Sequence, residues 1–166
     1  MSGEVNSQAK EKMSFTDKLL DDYELTSKLP PLSPPGDDEE LQSYLNMDRE
    51  SIEKLTPKQS ISIAYRLGSF SVYFQRLYNR EKSRVTWAET ELHKSVAAVI
   101  NDYDKFMKFD VKVAVIAREN TYVSSVMDIL RYAKQRTDRL EYVASSLKSL
   151  ENTLLNNARL KENNNE

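Results

Sequence analysis

Apolar residues return every third or fourth position along most of the chain beyond residue 58. Ile63, Leu67, Phe70, Phe74 and Leu77 are spaced 4, 3, 4 and 3 apart, and Ala88, Leu92, Val96, Val99, Tyr103 and Phe106 carry the stripe onward. A second stripe comprises Ile116, Val123, Val126, Leu130, Ala133, Thr137, Leu140, Ala144, Leu147, Leu154 and Ala158. This period predicts two long amphipathic helices packed through their apolar seams, in the manner of a coiled coil. The fold class expected is all-α, a long antiparallel helical hairpin over 56–160. Its turn falls within 107–121, with Asp110 and Asn120-Thr121 both open as caps. Phe109-Asp110-Val111-Lys112-Val113 alternates, which also leaves room for a short extended connection.

The start of the first long helix is the most specific local signal. In Thr56-Pro57-Lys58-Gln59, Thr56 can accept from the Gln59 amide and Gln59 can reach back to the amide of Thr56. Pro57 occupies the first helical position, where its missing donor costs nothing. Upstream, Asp37 is placed to cap a short helix whose packing side is Leu41, Tyr44 and Leu45, within a short helical segment over 37–55. Asp48-Arg49-Glu50-Ser51 reads as a break in it. Leu29-Pro30-Pro31-Leu32-Ser33-Pro34-Pro35-Gly36 favours extended polyproline geometry, as a stiff linker or a ligand for an aromatic groove. Residues 1–36 are therefore expected to be a largely disordered acidic, Pro-rich tail, although Phe15, Leu19, Leu20 and Tyr23 form a short amphipathic patch within it. Residues 161–166 are expected to be a disordered polar tail.

Composition supports the helical reading. The 166 residues include only 3 Gly and 5 Pro, none beyond Gly68, and no Cys. Glycine-rich phosphate loops, disulfides and thiol chemistry are thereby excluded. No apolar run approaches the length of a membrane span, and the N-terminus lacks a signal-peptide layout, so no membrane association and a cytoplasmic location are expected. Charge is divided unevenly: residues 1–57 hold 6 Lys and Arg against 13 Asp and Glu, and residues 58–166 hold 18 against 13. An acidic leader thus precedes a basic body, a layout that suits a polyanionic partner.

Catalytic chemistry is not expected. His93 is the single histidine, which with Glu89 one turn away makes no metal set, and Asp102 and Asp104 lie two apart on different helix faces. No metal, cofactor or catalytic group is expected. The informative stretch is 65–87, where Arg66, Arg76, Arg80, Lys82 and Arg84 are interleaved with Tyr65, Phe70, Tyr73, Phe74, Tyr78 and Trp87. Arg76, Arg80 and Arg84 recur every fourth position and make a basic ridge. Such cations can neutralise phosphates while Tyr73 or Tyr78 stacks on unpaired bases. Arg131 and Lys134, with Arg136 and Arg139, form a second basic cluster. The same arginines can instead pair with acids across a helical seam. Ile61, Tyr65, Val72, Tyr73 and Tyr78 fall outside the first stripe. Covering that face calls for the short N-terminal helix or other subunits, so Ile61, Tyr65, Phe70 and Phe74 are read as an oligomer interface.

Tyr65-Arg-Leu-Gly-Ser-Phe-Ser-Val-Tyr-Phe74, Ser83-Arg-Val-Thr-Trp-Ala-Glu89, Ala117-Arg-Glu-Asn120 and Leu140-Glu-Tyr-Val-Ala-Ser-Ser-Leu-Lys-Ser-Leu150 together resemble the UvsY-like family of phage recombination mediators. The likeness covers about 58–160 as a helix pattern. It implies a non-enzymatic helical protein that binds single-stranded DNA, forms a ring-like homo-oligomer and helps a recombinase displace single-strand-binding protein in the cytoplasm of a bacterial host. Against the family pattern, the C-terminus is mostly polar and the acidic leader is an addition. That leader is expected either to contact the recombinase or to mask the basic ridge. The rival reading is a phage structural or assembly protein (virion component, scaffold or chaperone) using the hairpin as a protein–protein interface.

Overall fold

A computed structural model describes residues 6–163, and every regular element among them is helical. The elements are α1 (Ser7–Thr26), α2 (Asp38–Leu45), α3 (Arg49–Lys54), α4 (Pro57–Ala97), a 3-10 turn (Ile100–Asp102), α5 (Phe109–Glu119) and α6 (Thr121–Asn163). The chain divides into two compact bodies. The first holds residues up to Pro30 together with Asn79–Thr137, and the second holds Pro31–Tyr78 with the chain from Asp138 on. The long helices α4 and α6 contribute a segment to each.

In the second body, Ala64, Leu67 and Phe70 of α4 pack against Leu147 and Leu154 of α6. Leu41 and Tyr44 of α2 and Ile52 and Leu55 around α3 close over this cluster. Asp37 caps α2 by accepting from the Glu40 amide at 2.7 Å, and Asp48 caps α3 by accepting from the Ser51 amide at 2.8 Å. The stretch expected to be a break is therefore a helix start. The Thr56–Gln59 box forms in both directions, with bonds of 2.9 and 3.3 Å. The Asn157 amide donates to the Ile52 carbonyl at 2.9 Å and to the buried Ser60 hydroxyl at 3.1 Å, joining α6, α3 and α4. The Lys161 ammonium donates to the carbonyls of Glu53 and Leu55 at the end of α3.

In the first body, Ala88 of α4 meets Val126 and Ile129 of α6 and Ala9 of α1. Further along α4, Val96 packs with Ile116 of α5 and Val123 of α6. Contacts that advance along α4 while receding along α6 make the two helices antiparallel here, as they are in the second body. Asn120 begins α6, its side-chain oxygen accepting from the amides of Tyr122 and Val123 at 3.0 and 3.2 Å.

Several expectations are corrected. Residues 7–26 are a helix rather than a disordered tail: the helix breakers begin only at Pro30, and Asn6 caps the start by accepting from the Gln8 amide. The helix ends in a Schellman arrangement, with Lys28 at φ 55°, Lys28 N–H bonded to the Leu25 carbonyl and Leu29 N–H to that of Glu24. The first stripe stops at Val96 as a helix. Val99 and Tyr103 pack in irregular chain, and Phe106 is 94% exposed. Residues 109–113 open α5 instead of running extended. Lys161–Asn163 continue α6; the rest of the expected C-terminal tail, and residues 1–5 of the leader, lie outside the described residues.

Candidate nucleic-acid interface

Three arginines of α4, Arg66, Arg80 and Arg84, are met by acids. In the second body, the Arg66 guanidinium forks onto Glu40 of α2, with bonds of 2.8 and 2.5 Å to its two oxygens. The Tyr44 hydroxyl donates to the same carboxylate at 2.8 Å. Arg66 and then Tyr44 hold the Glu40 carboxyl below its ordinary range, while Glu40 raises Arg66. Gly36 sits over this pair. A Cβ there would lie 2.9 Å from the Arg66 guanidinium and 3.0 Å from the Phe70 ring, and closer still to Glu40, so the turn after the prolines accepts only glycine without rearrangement.

In the first body, Arg84 forks onto Asp17 of α1, with Nε and Nη2 at 3.0 and 2.9 Å from the two carboxylate oxygens. Its Nη1 also bonds Glu81 at 2.5 Å. One turn earlier, Arg80 bonds Asp21 and faces both oxygens of Glu24 at 3.5 and 3.4 Å. Burial works against the Arg80 charge, but the bonds to Asp21 and Glu24 more than offset it, and its pKa rises. The bond to Asp17 likewise raises that of Arg84. Glu81 is buried and bridges Arg84 to Arg136 of α6, the latter at 2.9 Å. At the other end of α1, Lys12 donates to Glu91 at 2.8 Å beneath the Tyr122 ring.

The remaining residues are distributed as follows. Lys134 pairs with Glu89 at 2.7 Å, and Arg131 pairs with Asp128 at 2.8 Å while lying over the Tyr132 ring. Lys82 is exposed, and Arg76, Tyr73 and Tyr78 are half-buried, with Tyr73 edge-on to Phe74 at 5.3 Å. Phe70 is a buried core residue closed to another subunit, and Phe74 is half-buried against the same cluster. Ile61, Tyr65 and Val72 are exposed, Tyr65 to 77%. Tyr65 and Val72 line a groove of about 1140 Å³ in the second body with Gly68, Glu141, Ala144 and Lys148. A Cβ at Gly68 would meet Glu151 at 3.6 Å, an ordinary contact, so no neighbour within the chain requires a glycine there.

Reading the sequence alone misses the acids that answer the ridge. Asp17, Asp21 and Glu24 do carry a signal, since their spacing of 4 and 3 puts them on one helical face that matches Arg84 and Arg80. Among the described residues no cluster of three or more His, Cys, Asp or Glu is placed to hold a metal ion, and no helix is long and apolar enough to cross a membrane. No family model matches this chain, and neither a curated protein nor a solved structure matches it.

Proposed function

We propose that this chain is a non-enzymatic single-stranded-DNA-binding recombination mediator, acting as a homo-oligomer that helps load a recombinase while single-strand-binding protein is displaced. One observation carries the reading. Arg80 and Arg84 stand one turn apart on α4, about 6 Å along its axis, each facing both oxygens of a carboxylate. A phosphodiester offers the same two-oxygen edge to a guanidinium fork. Lys82, Arg131 and Lys134 add charge in the same body. Arg66, Arg76, Tyr73 and Tyr78 are the corresponding group in the second body, with the tyrosines as stacking surfaces. The work is binding and hand-off, and it needs no cofactor.

Fluorescence anisotropy with a 30-nucleotide oligothymidylate tests this. Affinity should fall linearly with the logarithm of salt concentration, and Arg80→Gln with Arg84→Gln should flatten the slope by about 1.4. An absence of binding at low salt overturns the reading.

The exposed row Ile61, Tyr65 and Val72 favours a second one, a phage structural or assembly protein with that face as its protein interface. Light scattering of Tyr65→Glu separates the two. Loss of assembly with oligothymidylate binding intact supports the mediator, and loss of assembly in a protein that never binds it supports the scaffold.

A further inference from the structure

We infer that α1 is an electrostatic strap on the cationic face of the first body, and that single-stranded nucleic acid displaces it by taking over Arg80 and Arg84. The inference rests on the nucleic-acid reading above.

The direction in which α1 faces is the first observation. A helix held by burial turns its apolar side inward. From Asp17 onward α1 does so only at Leu20, which is half-buried between Asp17 and Glu24. Its carboxylates meet the arginines, while Leu19 and Tyr23 are 53% and 67% exposed, as is Phe15 just before them at 61%. Only the start of the helix is anchored conventionally, by buried Ala9 and by Met13 against Ala88, Val126 and Ile129. The segment 17–26 is therefore attached mainly by ion pairs.

The second observation is what those pairs exchange for. Arg80 and Arg84 are three-quarters or more covered while α1 is in place. Removing α1 into water would leave Arg80 without its α1 carboxylates and Arg84 with Glu81 alone. Replacing each carboxylate by a phosphate keeps both guanidinium groups paired, so the exchange costs little, and the liberated acids are repelled by the incoming polyanion. The anchored N-terminal turns mark where release stops: α1 should peel back from Glu24 through Asp17 and hold at Met13.

The test compares two variants of the full chain that carry equal charge changes on the same helix. Asp17→Asn with Asp21→Asn removes strap contacts. Glu11→Gln with Asp22→Asn removes two exposed α1 acids that face away from the arginines. Each is titrated with the 30-nucleotide oligothymidylate, and amide hydrogen exchange is followed over 7–26 with and without it. The strap requires the first variant to bind about tenfold more tightly than the second. It also requires the oligonucleotide to deprotect 17–26 in the unaltered protein while 7–13 stay protected. Equal affinities, or a helix that stays or becomes more protected on binding, overturn the strap and leave the nucleic-acid reading standing. No binding by any of the three proteins overturns both.

Discussion

The N-terminal helices are attached in two opposite ways. In the second body, α2 and α3 lay Leu41, Tyr44, Ile52 and Leu55 onto a core of Leu67, Phe70, Leu147 and Leu154, and the Arg66–Glu40 ion pair adds to that apolar seat rather than replacing it. In the first, α1 contributes a small apolar footing at Ala9 and Met13 and then rests on arginines. Burial of apolar surface scales with area and is insensitive to salt, whereas a partly exposed ion pair adds at most about 1 kcal/mol and is screened. Two short acidic helical segments of one chain thus differ in what holds them, and so in what can detach them.

The sharpest way to separate the two attachments is to damage each. Leu154→Ala, in the middle of the second core, should cost about 3 kcal/mol in chemical denaturation. Asn157→Ala should cost about 1–2 kcal/mol, because it leaves the Ile52 carbonyl and the buried Ser60 hydroxyl without that donor. Raising salt from about 0.05 to 0.5 M should speed amide exchange across 17–26 by about tenfold and change 38–54 by less than about twofold. Equal responses would erase the distinction. Gly68→Ala should stabilise by up to about 1 kcal/mol, since α4 continues through that position and the added methyl meets only ordinary contact.

The smallest effect is with pH. The Lys12 bond, with help from the Tyr122 hydroxyl, holds the Glu91 carboxyl below its usual 4.5. The folded protein therefore binds that proton less readily than the unfolded chain. This contribution, under about 1 kcal/mol, is complete above pH 4.5 and vanishes as pH falls through the lower folded value. Thermal melts between pH 6 and 3 should show α1 loosening at the acid end.

What the sequence reveals follows from periodicity. Ile116, Val123, Val126, Ala133, Ala144, Leu147, Leu154 and Ala158 are all buried, because a seam between two helices imposes its spacing on the residues that fill it. The capping box at Thr56 was legible for a similar local reason. α1 was not, because a helix held by charges leaves no buried stripe to find, and its exposed Phe15, Leu19 and Tyr23 resemble a binding patch. α5 was hidden for another reason: its eleven residues supply only Ile116 as a buried position, too few for a period. The partners of the ridge depend on contacts across 26 to 67 positions of chain, which no local pattern reports.

The footing of α1 at Ala9 and Met13, in the same body as Arg80 and Arg84, would turn any release of 17–26 into a contest within one molecule. A released segment 17–26 would stay covalently tied to that footing through a few residues, so it would return to its arginines at an effective concentration of the order of millimolar. A lone phosphate or a short oligonucleotide would compete poorly against such a neighbour. A long single strand, which brings many phosphates at once, would not suffer that disadvantage. The length of the strand, more than its sequence, would then decide when the strap opens.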